Sequence, residues 1–210
     1  MPRLDLEKER ARLFAMGEYE RRFAEKGRIA GVDEVGRGPL FGPVAAAAVI
    51  LEPGSEILYL NDSKKLSEAR REALYDEIME KAAAVGVGMV SAARIDEINI
   101  LQATYEAMRE AVSQLSPRPD YLLVDAVTIP GISVPQLGII KGDAKSLSIA
   151  AASIIAKVTR DRLMYEYDAL YPGYGLAKNK GYGTAEHIEA LRRLGPTPLH
   201  RRSFIKNFTE

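Results

Sequence analysis

The sequence predicts a mixed α/β protein built around one sheet. Short apolar runs with the length of buried strands alternate with longer segments of helical periodicity. The chain has 210 residues, of which 47% are hydrophobic and 28% are charged, as is ordinary for a globular domain. Its sequence contains no internal repeat, low-complexity segment or long linker. We therefore expect one domain that carries a small appendage at most.

The first part of the chain predicts a helix followed by a pair of strands. Residues 3–26 are charged but carry apolar side chains in the pattern of an amphipathic helix, which Gly27 ends. Residues 28–35 and 43–51 are apolar runs on either side of a short turn rich in glycine and proline. This arrangement predicts two antiparallel strands, the second rich in alanine and suited to close packing against a helix.

The rest of the chain predicts four further helical segments and three further strands. Ser67 and Thr184 stand where helix N-caps are expected. The predicted elements are a helix from Ser67 to Lys81, a strand from Ala84 to Ser91, one or two helices within 95–116, a strand from Tyr121 to Ala126, a short strand at 137–140, a long helix from Ser146 to Leu170, a loop at 176–183, a helix at 184–194 and a basic tail at 195–210. We expect a helical extension at 1–27, a core at 28–170 and a basic helical region at 171–210.

Composition excludes several classes of protein. Without cysteine the chain has no disulfide, thiolate metal site or thiol nucleophile. The N-terminus is charged and no apolar run is long enough to span a bilayer, so we expect a cytoplasmic protein that does not enter membranes. Formal net charge is zero, yet residues 171–210 carry seven basic and three acidic side chains, a net charge of +4. This segment is either a surface for a polyanion or a solvated helical face.

Four acidic residues lie at the ends of predicted strands or at the start of a predicted helix. Asp33 and Glu34 end the first strand, Asp125 ends the fourth, and Asp143 precedes the longest helix. Carboxylates that converge without a cation repel one another, and hard cations such as Mg²⁺ or Mn²⁺ remove that conflict. Two such ions can hold the attacking water and the leaving oxygen of a phosphodiester. The alternative is that each acid pairs with a nearby lysine or arginine.

The two neighbouring acids and the turn after them raise a geometric question. Asp33 and Glu34 would point to opposite faces of a regular strand, so both reach one site only if the strand ends or distorts there. The turn 36–42 lacks the glycine spacing of a dinucleotide-binding loop and the Gly-Lys-Ser/Thr ending of a phosphate-binding loop. It offers backbone groups that a ribose hydroxyl can approach, or it is simply a tight hairpin turn.

Tyr182 lies on a basic loop between two glycines. Such a tyrosine can stack on a sugar or base while neighbouring lysines contact phosphates. The alternative is an ordinary surface loop whose tyrosine covers a helix end. The only two histidines are His187 and His200, and chemistry with two metal ions requires neither as a base.

Five longer motifs occur in a fixed order along the chain. They are Gly31-Val-Asp-Glu-Val-Gly-Arg-Gly38 with Gly42-Pro43, Asn61-Asp-Ser-Lys-Lys-Leu66, Leu123-Val-Asp-Ala126, Lys141-Gly-Asp-Ala-Lys-Ser146 with the helix through Asp161, and Asn179-Lys-Gly-Tyr-Gly-Thr184. Together they closely resemble bacterial ribonuclease HII, the type 2 ribonuclease H, from residue 28 to residue 203. The related ribonuclease HIII usually lacks the Gly-Arg-Gly sequence and carries a large N-terminal domain, so type HII is favoured.

The resemblance implies a ribonuclease H-like fold, with a central mixed five-stranded sheet flanked by helices and a C-terminal helical extension. It implies an endoribonuclease that cuts the RNA strand of RNA–DNA hybrids and single ribonucleotides embedded in duplex DNA, leaving 5′-phosphate and 3′-hydroxyl ends. Such an enzyme serves ribonucleotide excision and removal of RNA primers. We expect a monomer, and the alternative is a non-cleaving nucleic-acid binding module of the same fold.

The resemblance also implies a role for each site residue. Asp33, Glu34, Asp125 and Asp143 would be the catalytic acids that bind Mg²⁺ or Mn²⁺, with two ions in the active complex. Gly36, Arg37 and Gly38 would contact the 2′-OH and a nearby phosphate. Tyr182 would pack on the deoxyribose at the RNA–DNA junction. The nucleic-acid backbone would be contacted by Lys64 or Lys65 and by Ser146.

Overall fold

One five-stranded sheet lies at the centre of the structure, a computed structural model that describes residues 6–209. The strands are β1 (Ile29–Val35), β2 (Val44–Leu51), β3 (Ala82–Val90), β4 (Tyr121–Asp125) and β5 (Gln136–Ile139). Their order in the sheet is β3-β2-β1-β4-β5. The pairs β1–β2 and β2–β3 are antiparallel, whereas β1–β4 and β4–β5 are parallel. The mixed five-stranded sheet that the resemblance implies is confirmed.

Helices cover both faces of this sheet. Within residues 6–209 they are α1 (Leu6–Met16), α2 (Glu18–Arg22), α3 (Glu68–Lys81), α4 (Ala92–Ser113), α5 (Leu147–Leu170), α6 (Leu176–Asn179), α7 (Ala185–Leu194) and α8 (Arg202–Thr209). Short 3₁₀ turns lie at Ala24–Lys26, Ser63–Lys65 and Gly142–Ala144. None of the helices in this range is long and apolar enough to cross a membrane.

Side chains that alternate along the strands pack into two separate hydrophobic cores, one on each face of the sheet. Val32 and Ala46 belong to the core beneath α4, whereas Ala47 and Val49 belong to the core beneath α3 and α5. At Gly31, a Cβ atom would stand 2.0 Å from the backbone of α5, so only glycine permits this close approach. The start of α5 is thereby held against the middle of β1.

Several elements differ from the sequence-based expectation in their bounds. The N-terminal segment forms α1 and α2 with a break at Gly17, and residues 3–5 of the predicted helix lie outside the described residues. Helix α4 begins before residue 95 because Ser91 Oγ accepts a hydrogen bond from Arg94 N, at 3.2 Å. It breaks at Asn99, whose φ is 68°. The predicted loop at 176–183 contains the short helix α6. The proposed division at residues 27 and 170 stays a prediction.

The C-terminal region packs on the turn between β1 and β2. Leu40 of that turn contacts a small cluster with Leu191 and Ile205, and Phe41 packs with Met164 and Tyr174. The basic end of the chain is therefore joined to the glycine-rich turn that follows the paired acids.

Candidate active site

Parallel pairing brings Asp33 and Asp125 together at one edge of the sheet. The ladder between β1 and β4 ends one residue before each of them, so they are the next residues of adjacent strands. Asp143 lies in the 3₁₀ turn before α5. This turn is tied to β4 because Gly142 N donates to Asp125 Oδ1, at 2.6 Å. The carboxyl ends of two strands and the start of one helix thus meet.

Glu34 joins this group although β1 stays regular. The strand continues to Val35, and Glu34 still pairs with Ala46 of β2, so its side chain alternates with that of Asp33. The expected end or distortion of the strand at this point does not occur. Instead β4 stops at Asp125, which leaves Glu34 without a paired strand on that side. Its charge still interacts with that of Asp125.

The electrostatics of the site are those of crowded carboxylates, of which Asp33 and Asp143 are buried and Glu34 and Asp125 are half-buried. Burial, together with the charges of Glu34, Asp125 and Asp143, raises the pKa of Asp33 well above its usual range. Burial raises the pKa of Glu34, against the opposing effect of Arg37. Burial and the nearby Asp62 and Asp125 raise the pKa of Asp143. The cluster therefore holds more negative charge than the protein alone balances.

Two basic side chains partly balance the negative charge of the acids. Arg37 Nη1 lies 3.6 Å from Glu34 Oε1, and Lys64 Nζ lies 3.9 Å from Asp143 Oδ2. Burial alone would lower the pKa of Lys64, but Asp33 and other nearby acids raise it. Both ion pairs are long, and the side chains of Arg37 and Lys64 are 45% and 79% exposed. The alternative in which each acid pairs with a nearby lysine or arginine therefore holds only in part.

The donor set suits a hard divalent cation. The four side chains offer carboxylate oxygens alone, which Mg²⁺ and Mn²⁺ prefer. Among residues 6–209, no group of three or more His, Asp or Glu side chains is arranged to hold a metal ion by itself. Magnesium is usually bound through one or two carboxylates, with water and substrate phosphates completing its coordination. These residues therefore fit an ion whose coordination is completed by water or by a substrate phosphate.

The loop at 61–65 contributes Lys64, which the resemblance named only as an alternative to Lys65, and Asp62, which sequence reasoning missed. It is anchored because Ser153 Oγ of α5 donates to Ser63 Oγ, at 2.7 Å. This contact brings Asp62 close to Asp143 and makes Lys64 the lysine nearest the acids. The motif Asn61-Asp-Ser-Lys-Lys-Leu66 was a signal for both residues, although it did not single out Asp62.

Two buried arginines hold the glycine-rich turn. Arg160 donates to the carbonyl oxygens of Phe41, Pro43 and Lys180, at 2.8–3.0 Å. Arg201 donates to the carbonyl oxygens of Gly36, Arg37 and Gly42, at 2.6–3.0 Å. Arg201 belongs to the basic segment 171–210, for which we expected either a polyanion surface or a solvated helical face, and its fully buried side chain fits neither expectation.

Tyr182 reaches the same turn from the other side. Leu40 N donates to Gly181 O at 2.8 Å, which joins the turn to the Tyr182 loop. The Tyr182 ring is 43% exposed and lies beside Gly38. The structure thus brings together Gly36, Arg37, Gly38 and Tyr182, next to the acid cluster through the Arg37–Glu34 pair.

A buried histidine pair supports the Tyr182 loop. His187 Nδ1 donates to Tyr182 O at 2.9 Å, because a carbonyl oxygen can only accept. Thr197 N donates to His200 Nδ1 at 3.0 Å, so His200 Nε2 carries the proton and donates to His187 Nε2, at 3.2 Å. Burial lowers the pKa of both, that of His200 to about 4. The pair is therefore neutral and structural at neutral pH.

Two further predicted contacts differ in their surroundings. Lys65 is exposed at the end of its 3₁₀ turn, free to meet a ligand from solvent. Ser146 is fully buried, caps α5 by accepting from Ile149 N at 3.2 Å, and donates its hydroxyl proton to Glu20. Neither contact with nucleic acid is tested by this geometry, and both stay predictions.

Comparison with known proteins gives the class and then the family. The model of the family described as ribonuclease HII matches residues 30–207. A ribonuclease HII from Lachnoclostridium phytofermentans is 67% identical over 204 residues, which cover 97% of this chain and 80% of that protein. The crystal structure of the ribonuclease H2 from Pyrococcus horikoshii OT3 matches with a TM-score of 0.70 and 27% identity, over 87% of this chain and 97% of that one.

A more distant neighbour shares the fold alone. The crystal structure of Bst-RNase HIII in complex with Mn²⁺ has a TM-score of 0.66 and 20% identity, over 80% of this chain and 61% of that one. The fold and these matches define a ribonuclease H-like hydrolase. More narrowly, the chain belongs to the ribonuclease HII family. Members of this class are divalent-metal-dependent ribonucleases that act on RNA–DNA hybrids, so the expected enzyme class is confirmed.

Proposed function

We propose that this chain cleaves the RNA strand of hybrids and single ribonucleotides embedded in duplex DNA, with Asp33, Glu34, Asp125 and Asp143 as its catalytic acids. The observation that carries this proposal is the meeting of four carboxylates at one sheet edge with only two weak cationic partners. Buried carboxylates with raised pKa values are costly for folding unless another positive group joins them. A substrate-associated cation is the group that the reaction of this family requires.

The four acids would hold Mg²⁺ or Mn²⁺, two ions in the active complex. Bound there, such ions supply Lewis acidity and a more acidic water for phosphodiester hydrolysis. The protein's own contribution is to fix the acids: β1 carries Asp33 and Glu34, β4 carries Asp125, and Gly142 N orients the Asp125 carboxylate. Lys64, whose side chain is 79% exposed beside Asp143, is available to meet the phosphate.

Recognition of the ribonucleotide would belong to the turn and the tyrosine loop. Gly36, Arg37 and Gly38 are proposed to contact the 2′-OH and its phosphate, since a 2′-OH is what separates RNA from DNA. Tyr182 is proposed to pack on the next deoxyribose. Lys65 is a weaker candidate for a backbone contact. Ser146 is the weakest candidate, because its hydroxyl already serves Glu20 and the start of α5.

A duplex with one embedded ribonucleotide tests this function. Incubation with Mg²⁺ or Mn²⁺ should give one cut beside the ribonucleotide, with 5′-phosphate and 3′-hydroxyl ends. An otherwise identical all-DNA duplex should stay intact. Tight binding without any cut in either metal would instead favour a non-cleaving module of the same fold. Monomeric state, a cytoplasmic location and roles in ribonucleotide excision and primer removal remain part of the proposal.

A further inference from the structure

Arg201 makes three contacts with one turn from beneath. Its Nη2 donates to Gly36 O at 2.6 Å, its Nη1 to Arg37 O at 3.0 Å and its Nε to Gly42 O at 3.0 Å. Lysine could not reproduce these contacts, because a guanidinium presents its donors in a rigid fork and an ammonium is a single point. The side chain is fully buried, and this burial lowers its pKa to about 9, so it remains charged at neutral pH.

These contacts fix the direction of two peptide groups. A trans peptide is planar, with its C=O and N–H pointing in opposite directions. The only cis peptide bond among the described residues joins Ser116 to Pro117. Because the carbonyls of Gly36 and Arg37 point at the guanidinium, the N–H groups of Arg37 and Gly38 must point away from it. The third carbonyl, that of Gly42, precedes Pro43, which has no N–H.

The two outward N–H groups differ from others in the same turn. Leu40 N donates to Gly181 O, and Gly42 N donates to Leu199 O at 2.9 Å. Within residues 6–209, no acceptor takes a hydrogen bond from the N–H of Arg37 or Gly38. Adjacent backbone donors that point the same way form a concave site for an anion or a hydroxyl oxygen. Tyr182 lies beside Gly38 at the edge of this site.

We infer that Arg201 is a positioning residue for ribonucleotide recognition, which aims the N–H groups of Arg37 and Gly38 at the 2′-oxygen or the adjoining phosphate. The inference rests on the proposed function, in which this turn meets the ribonucleotide. Arg201 itself touches no substrate. It holds the otherwise flexible Gly-Arg-Gly segment in one fixed peptide geometry. The turn therefore loses its conformational entropy when the protein folds, and little more is lost when substrate binds.

Equilibrium binding tests the inference without cleavage. Affinities are measured in EDTA for a duplex with one ribonucleotide and for the same duplex with deoxyribose at that position. The ratio of the two affinities is independent of the fraction of protein that is folded. Wild-type protein should prefer the ribonucleotide duplex by about fivefold to tenfold, and Arg201→Lys should bring the ratio close to 1. Arg202→Lys, at the exposed neighbouring position, should keep the wild-type ratio.

The outcomes separate the inference from the proposed function. A wild-type protein without any preference would overturn the contact between the turn and the ribonucleotide, and the inference with it. A wild-type preference that Arg201→Lys retains in full would overturn the inference alone.

A second measurement needs no variant, in case Arg201→Lys does not fold. In ¹⁵N NMR spectra of the wild-type protein, the Arg37 and Gly38 amides should differ between the ribonucleotide and all-DNA complexes. The amides of Leu40 and Gly42, which already have acceptors, should coincide in the two. Differences at Leu40 and Gly42 with none at Arg37 and Gly38 would contradict the inference.

Discussion

The ring of Tyr182 lies beside Gly38, and its Cε1 atom is 3.6 Å from the point where a Cβ on residue 38 would stand. The two residues are far apart along the chain. A hydrogen bond from Leu40 N to Gly181 O, at 2.8 Å, holds their loops together. The turn after β1 and the loop before α7 therefore form one surface, which we assign to the ribonucleotide and the sugar that follows it.

Gly38→Ala should impair function without weakening the fold. The new methyl group would make only ordinary van der Waals contact with Tyr182, so the free energy of unfolding should change by less than about 1 kcal/mol. The methyl group would narrow the space where the ribose approaches, so cleavage at a single ribonucleotide should fall at least about tenfold. Urea unfolding and single-turnover cleavage measure the two effects, and wild-type cleavage by this variant would remove Gly38 from the contact surface.

Gly36→Ala, unlike Gly38→Ala, should destabilise the fold. Gly36 has a φ of +89°, and a Cβ there would stand 2.3 Å from Arg160 Nε. Both effects oppose any side chain, so we expect a loss of at least about 2 kcal/mol in unfolding free energy. Equal stability of the two alanine variants would show that the packing of Arg160 under the turn is described incorrectly.

Tyr182→Ala should slow cleavage at a single embedded ribonucleotide by about tenfold or more, because one stacking contact contributes about 1–3 kcal/mol. Tyr182→Phe keeps the ring and should remain within about threefold of wild type, because the role assigned is packing. Stability should change little in either variant, since the ring is 43% exposed. If the alanine and phenylalanine variants cleave at equal rates, the ring does not position the junction.

The histidine pair predicts a loss of stability in acid. Burial lowers the pKa of His200 to about 4 and also lowers that of His187, so between pH 6.5 and 4 the unfolded chain binds more protons than the folded one. The free energy of unfolding must therefore rise with pH across this window and fall as the pH is lowered through it.

His200→Gln cannot take up that proton, so the stability difference between wild type and variant should shrink steadily from pH 7 to pH 4.5. Urea unfolding at each pH measures it. Subtracting the two curves removes the carboxylates, whose raised pKa values act in the opposite direction. A difference that stays constant with pH would mean that His200 is not held neutral.

Divalent cations should stabilise the folded chain through the acid cluster. The raised pKa of Asp33 means that the folded state binds more protons than the unfolded state above the ordinary carboxylate range, so this group destabilises the metal-free protein as pH rises. Mn²⁺ should raise the melting temperature of wild type, and more so at pH 8 than at pH 6. Asp33→Asn should melt higher than wild type in EDTA but gain much less from Mn²⁺. Equal gains in both proteins would exclude Asp33 as a ligand.

The sequence predicted the sheet well because local signals and burial agree there. The alanine-rich β2 and the caps at Ser67 and Thr184 appear where the residues indicate. The N-terminal helix was predicted too long because Gly17 interrupts an otherwise helical pattern. The start of α4 was predicted too late because the cap at Ser91 precedes the apolar periodicity.

The sequence indicated that the four acids would converge, but it did not indicate which residues support the neighbouring turn. Charged residues at strand ends stand out in a sequence, whereas Arg160 and Arg201 lie within basic or helical stretches that look solvated. Their burial depends on carbonyl groups of a distant turn, which no local pattern encodes. His187 and His200 were set aside for the same reason, since their link to Tyr182 O exists only in the folded chain.

The most direct test of the central claim is the single-turnover rate at one embedded ribonucleotide in Mg²⁺ for Asp125→Asn, with Asp120→Asn as matched control. Asparagine at 125 can still accept the hydrogen bond from Gly142 N, but it removes the charge from the cluster. Asp120 is exposed and pairs with Arg28 away from the site. We predict a fall of at least about 100-fold for Asp125→Asn, a wild-type rate for Asp120→Asn and folded protein in both. Cleavage by Asp125→Asn at the wild-type rate would contradict the assignment of the acid cluster as the active site.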